Sequence, residues 1–261
     1  MAKPAYIELP DGTTFSILFE DPAVLAVDKP AGWMLAPNDW VHTGRNLQLA
    51  LESSVNAGDY WARSRNLKFI RYIHRLDAET SGVLLLAKNL GALRAYGPLF
   101  ESRGVEKVYL AVVLEVPKSG EWTCRAKLAP VPGESGLMRA SAKEGEDAET
   151  RFRVLQAREG WALVEARPIT GRTHQIRVHL QASGHPVLGD ELYGRPAGIG
   201  GPRGLALRAV WLGFRDPFRG HHLRIRAPLE EFVREQGFDP SALEENQGTQ
   251  GRHAKPSGTN R

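Results

Sequence analysis

Short apolar bursts, cut by glycine, proline and acidic turns, dominate the hydrophobic pattern of this chain. Residues 13–19 (TTFSILF) and 23–28 (AVLAVD) read as two short strands around an EDPA turn, and KPAGW then ends the pattern with Pro30 and Gly32. GRNLQLALESSVN (44–56) predicts a helix. The run at 81–88 (SGVLLLAK) predicts a strand buried on both faces, and LGALRAYGPLFESR (90–103) has apolar residues every three or four positions, a helical period. EKVYLAVVLEV (106–116) is β-branched and strand-like, whereas 130–150 is rich in Gly, Pro, Ser and Glu and reads as a surface hairpin or excursion. TRFRVLQAR and WALVEARP predict consecutive antiparallel strands joined at 159–160, and THQIRVHLQASG predicts a helix ending at Gly184. A Gly-rich loop (194–204), strands at 205–214 and 221–226 and a last helix near 228–236 complete the pattern. Strands outnumber helices and do not alternate strictly with them, so the expected class is α+β with a mainly antiparallel mixed sheet.

With 261 residues the chain can bury a core without covalent staples, and residues 1–243 are expected to form one domain. The polar stretch EENQGTQGRHAKPSGTNR (244–261) is expected to be a disordered tail. A pI of about 9.3 and a formal charge of +4 permit a polyanionic partner without demanding one. The single cysteine, Cys124, leaves no disulfide framework and no Cys-based zinc site within the chain, and fits a cytoplasmic location. No apolar run approaches the roughly 20 residues of a spanning helix, and MAKPAYIELPDG lacks the apolar core of a signal peptide, so no membrane association is expected. His174 and His179 are five residues apart and fall on different helix faces, so no metal is expected. No Gly-rich phosphate loop follows a strand, so no cofactor, and in particular no nucleotide cofactor, is expected.

The densest chemistry lies in RYIHRLDAETSGV (71–83), which sets Asp77 against the mouth of an apolar strand. A carboxylate there is costly unless paired or used. It reads either as a cap or structural ion pair with Arg71 or Arg75, or as a reactive group ringed by Thr80, Ser81 and the backbone of Gly82. A nucleophilic or basic Asp needs a cationic neighbour. TGRTHQIRVH (170–179) offers Arg172 and Arg177, either as a carboxylate clamp or as part of a solvated basic helix. Tyr109 on its strand reads as a core aromatic or as a base-stacking ring.

Taken in order, HRLDAETSGVLLLAK, EKVYLAVV and GRTHQIRVHL resemble the RluA-type pseudouridine synthases, with support from VLAVDKPAGW, HPVLGDELYG and LALRAVWLGF. The resemblance covers about residues 14 to 235. It implies a mainly antiparallel mixed sheet flanked by helices, with a cleft across it. It implies isomerisation of uridine to pseudouridine in tRNA or ribosomal RNA, with Asp77 as the catalytic carboxylate and Arg177 as its basic partner. Tyr109 would stack on the uracil and help in proton abstraction at C5, and Leu207 would pack in the site wall. Arg75 would lie beside the RNA, and Arg172, His174 and Gln175 would bind substrate. Whether Asp77 attacks the ribose, attacks the base or acts as a base at C2′ is left open. Only about 23 residues precede the VLAVDKP motif, so the N-terminal S4-type domain of many members is expected to be absent, with a monomer as the default. Arg208 stands where the family often has His. Two other classes compete: a catalytically silent RNA-binding protein, and a glycoside hydrolase using Glu79 as a second carboxylate.

Overall fold

The structure, a computed structural model, describes residues 2–35, 45–194, 204–241 and 243. The expected tail at 244–261 and nearly all of the Gly-rich loop lie outside the described residues. Thirteen strands and five helices are formed by the described residues. In chain order they are β1 (Tyr6–Glu8), β2 (Thr14–Glu20), β3 (Val24–Lys29), α1 (Leu47–Ala57), α2 (Tyr60–Arg63), β4 (Arg71–Tyr72), β5 (Ser81–Ala87), α3 (Leu90–Glu101) and β6 (Val105–Leu114). There follow β7 (Glu121–Cys124), β8 (Lys127–Pro130), β9 (Met138–Ser141), β10 (Thr150–Arg158), β11 (Trp161–Pro168), α4 (Gln175–Ala182), β12 (Leu207–Arg215), β13 (His222–Arg226) and α5 (Glu230–Glu235). The chain divides into two units after Ala227, and α5 is the described helix of the second.

The first unit is built on one large sheet with the order β1-β2-β3-β5-β12-β6-β11-β10-β7, onto which β4 and β13 pair at β5 and β12. Its named strand pairs are antiparallel except β5 with β12, which run parallel. This is the mixed, mainly antiparallel α+β arrangement that the hydrophobic pattern predicts. The stretch 130–150 contributes β9 of a separate two-stranded hairpin, β8–β9.

Helix α3 starts at Asn89, whose side chain accepts from the Ala92 amide at 2.8 Å and satisfies one orphan donor of the first turn. Its buried face, Ala92 and Tyr96, packs with Val24, Ala26, Val83, Leu85, Leu212 and Phe214 of the sheet. Each fully buried side chain of this size contributes roughly 1.5–3 kcal/mol. That packing fixes the last turn of α3 beside the sheet, where it forms one wall of a cleft.

Four short elements, β1, α2, β4 and β7, have two to four residues each, too few to establish a period in the sequence. Helix α4 begins at Gln175, two residues later than its pattern predicts, because His174 adopts left-handed backbone geometry (φ 53°).

Candidate active site

Strand β6 supplies the floor. Tyr109 lies directly opposite Ala166 of β11 on one side and Ala209 of β12 on the other. Cross-strand partners share a face, so two alanines flank the ring and leave space above it. Leu207, opposite Ala111, is on the same face and also lines the cleft. The walls are the last turn of α3 (Gly97, Phe100, Glu101) and the 170–177 segment that enters α4. The cavity is about 440 Å³, within the ordinary range for small-molecule sites. A neighbouring cavity of about 610 Å³ shares Arg75, Leu76, Asp77, His174 and Arg177 with it and extends past Met34, Leu35 and Leu192. Asp77 thus stands where two lobes of the cleft meet.

The loop that carries Asp77 is tied down from below. The Ala78 carbonyl accepts from the Gly32 amide at 2.9 Å and from Lys29 Nζ at 2.8 Å, and Lys29 also donates to the Pro30 carbonyl at 2.9 Å. Lys29 is fully buried, and burial pushes its ammonium down to about 8 against the opposing pull of Glu79 and Asp77. The Thr80 amide closes the turn onto the Asp77 carbonyl at 3.1 Å. Preceding the loop, His74 stacks on Phe100 (centroids 4.5 Å apart) and its Nε2 accepts from the Leu85 amide at 3.1 Å. Desolvation, with the Lys107 charge, pushes this imidazole down to about 3. It is a neutral structural acceptor at neutral pH.

The Asp77 carboxylate has two partners. Arg177 Nη1 is 3.4 Å from Oδ2, and His174 Nε2 is 3.9 Å from Oδ1. Among the described residues, the hydroxyls and amides of the 78–82 segment do not bond the carboxylate, unlike the ring of donors that the sequence suggests. Arg177 is itself oriented by Asp190, with Nε to Oδ2 at 2.8 Å and Nη2 to Oδ1 at 2.7 Å. Such a bidentate pair fixes the guanidinium plane. Burial works against the charge of Asp190, yet Arg177 and the Tyr193 and Leu192 amides hold its carboxyl below the usual range. The Tyr193 ring lies against the same guanidinium, 5.1 Å from its centroid to Cζ.

Tyr109 is buried, and desolvation together with the Asp77 charge raises its phenol well above the ordinary value. It therefore sits in the cleft as a neutral phenol. Lys107, two residues earlier on the same strand face, donates to the Thr170 carbonyl at 3.1 Å, and burial pushes it down to about 8.

The other residues singled out in the sequence divide into open and committed groups. Arg75 is exposed and lines both lobes. Arg172 lines the cleft but pairs with Glu146 at 2.8 Å. Gln175 is buried: its amide oxygen accepts from Thr170 Oγ1 at 2.6 Å and the Arg172 amide at 3.0 Å. Its amide nitrogen donates to the Glu149 carbonyl and Thr150 Oγ1, both at 2.9 Å. Gln175 thus braces the turn that presents Arg172–His174. Arg208 follows Leu207 and points to the opposite sheet face, where it pairs with Asp28 at 2.7 Å.

With this geometry in place, the family can be decided. Residues 23–182 match the family described as RNA pseudouridylate synthase. The chain belongs to that family. Ribosomal large subunit pseudouridine synthase C from Escherichia coli (strain K12) is 37% identical over 229 residues, covering 82% of this chain and 66% of the relative. The Yersinia pestis protein of the same name is 37% identical over 230 residues, covering 84% and 67%. The chain thus spans about two thirds of the length of these curated relatives. Two solved structures share the fold: Human RNA Pseudouridylate Synthase Domain Containing 1 (TM-score 0.68, 24% identity, 90% of this chain and 95% of that one) and Domain Containing 4 (TM-score 0.66, 24% identity, 84% and 90%).

Sequence reasoning gave no role to Asp190, Tyr193, Lys29 or Lys107. The first three lie within the VDKP and GDELYG runs, whose resemblance to family motifs was the only available signal. Their partners are 13, 19 and 49 residues away along the chain, beyond any local period.

Proposed function

We propose that this chain is an RNA pseudouridine synthase with Asp77 as its catalytic carboxylate, Arg177 as that group's fixed partner, and Tyr109 and Leu207 as the surfaces that receive the target uracil. One observation carries the reading. Asp77 lies at the junction of an open cleft, opposite a buried phenol, held by an arginine that a second buried carboxylate orients. A structural ion pair would satisfy Arg177 with Asp190 alone. The additional carboxylate, left 19% exposed, has its charge balanced and its surface open to a ligand. Ribosomal RNA is the favoured substrate, because the bacterial relatives carry the large ribosomal subunit in their names.

The reaction breaks the C1′–N1 bond, turns the freed uracil and forms C1′–C5. N1 gains a proton and C5 loses one, so no electrons are gained or lost. The target nucleotide must leave its stack to enter the cleft, at a cost of a few kcal/mol that is smallest in a loop. Tyr109, as a neutral phenol between two alanines, presents a flat face to the base, and its proton makes it a donor before it can accept one.

Loss of the C5 hydrogen provides the test. Large-subunit ribosomal RNA transcribed with uridine tritiated at C5 is incubated with the wild type and with Asp77→Asn. The wild type is expected to release tritium into water, and the variant to release none while binding the RNA within a few fold of wild type. Equal release by the variant would overturn the role of Asp77. Binding without release by the wild type would make this a silent RNA-binding member.

A further inference from the structure

Two groups face the Asp77 carboxylate, Arg177 and His174, and both rest on Tyr193. Tyr193 lays its ring against the Arg177 guanidinium at 5.1 Å, and its hydroxyl meets His174 Nδ1 at 2.7 Å. The same hydroxyl accepts the Met138 amide of β9 at 2.9 Å. An amide N–H can only donate, and among the described residues Nδ1 is the acceptor in reach of the phenol's own proton, so that proton is assigned to Nδ1. A neutral imidazole whose Nδ1 accepts carries its hydrogen on Nε2, and Nε2 is the atom that faces Asp77 Oδ1 at 3.9 Å. That distance is long for a hydrogen bond, as in many ligand-free sites whose contacts tighten on binding.

Resting on the proposed function, we infer that Tyr193 is a positioning residue for the reaction: its hydroxyl holds His174 as the Nε2–H tautomer aimed at Asp77, while its ring backs the arginine on the other carboxylate oxygen. The groups around His174 are Asp77 and Arg75 from the loop after β4, Arg177 from α4, and Asp190 and Tyr193 from the segment after α4. In this surrounding His174 is depressed below its ordinary value, chiefly by burial. A neutral donor orients the carboxylate without cancelling its charge, which a second cation would do. The left-handed backbone of His174 (φ 53°) agrees with this: the chain holds a non-glycine residue in a sparsely populated conformation at the point where the ring must face both ways. Tyr193 is placed in turn by its backbone amide, which donates to Asp190 Oδ1 at 3.0 Å. Asp190 therefore sets the arginine directly and the histidine through Tyr193.

The test uses the full chain and the tritium-release assay, with Tyr193→Phe, His174→Gln and the double variant. Tyr193→Phe keeps the ring but frees Nδ1. It is expected to lower kcat about tenfold with KM within about twofold, the scale of one lost hydrogen bond. It should also move any acidic limb of the kcat–pH profile to higher pH, because the neutral imidazole loses the phenol donor at Nδ1 while the burial that depresses it stays in place. Glutamine at 174 supplies a neutral donor that needs no tautomer, so the double variant should match His174→Gln and show no such shift. Independently of turnover, ¹⁵N-histidine NMR of the wild type should show His174 as the Nε2–H form. Additive losses, an unchanged profile in Tyr193→Phe, or an Nδ1–H signature in the wild type would overturn the proposal. If no form of the protein releases tritium, the proposed function fails while the NMR result still decides the tautomer. If Tyr193→Phe does not fold, the wild-type spectrum and His174→Gln remain informative.

Discussion

Two lysines next to the site show how burial turns a charge into a tunable one. Lys29 holds the Asp77 loop from beneath, and Lys107 lines the cleft; burial pushes both down to about 8, below the ordinary 10.5. A lysine whose folded value is depressed binds fewer protons than the unfolded chain between about 8 and 10.5, so across that window these groups make the fold more stable as pH rises. For RNA the sense is opposite. The Lys107 charge, which would attract any phosphate entering the cleft it lines, is present below about 8 and lost above it. Binding titrations at constant ionic strength are expected to show RNA affinity falling several fold from pH 7 to 9 in the wild type, and far less in Lys107→Met. An identical pH response in the two would remove Lys107 from the binding surface. Neither lysine announces itself in the sequence, where it reads as one solvated charge among many. Asp77 is legible there because a carboxylate set into the mouth of an apolar strand calls for an explanation.

Elements place these residues, and the parallel joint between β5 and β12 is a tight one. Gly82, the second residue of β5, has φ +111°, and a Cβ there would lie 2.0 Å from the Ala209 carbonyl oxygen. The obstacle is backbone, which cannot rotate away. Gly82→Ala is expected to lower the melting temperature sharply or prevent soluble expression, by a combination of left-handed strain and forced separation of the two strands. A melting temperature within a few degrees of wild type would show that the joint has room for a Cβ. The β10–β11 hairpin and the ends of β2, β3 and β5 were legible to within about a residue, since period and turn residues are local signals. The β5–β12 joint was not, because it joins residues more than a hundred positions apart. The start of α4 was missed because its N-terminus is braced by Gln175 and the αL turn at His174 rather than by a conventional cap.

At the scale of the molecule, a net charge of +4 is small, but its distribution matters. Arg75, Arg103, Lys107 and Arg172 line the cleft. With Arg172 held by Glu146, three such cations contacting phosphates predict that log affinity falls against log salt with a slope of magnitude about two, through counterion release. A flat response in filter binding would contradict a phosphate-lined cleft. Among the described residues no helix is long and apolar enough to cross a membrane. Fold class was legible from the balance of strands and helices. The chemistry became legible only when separate runs were read together, since Asp77 and its partner Arg177 are 100 residues apart. The most direct measurement maps pseudouridine in ribosomal RNA, by carbodiimide treatment and primer extension, in cells with and without this gene and after adding back wild type or Asp77→Asn. The account predicts a stop that vanishes on deletion and returns with the wild type alone. A stop restored equally by Asp77→Asn, or a map unchanged throughout, would contradict it.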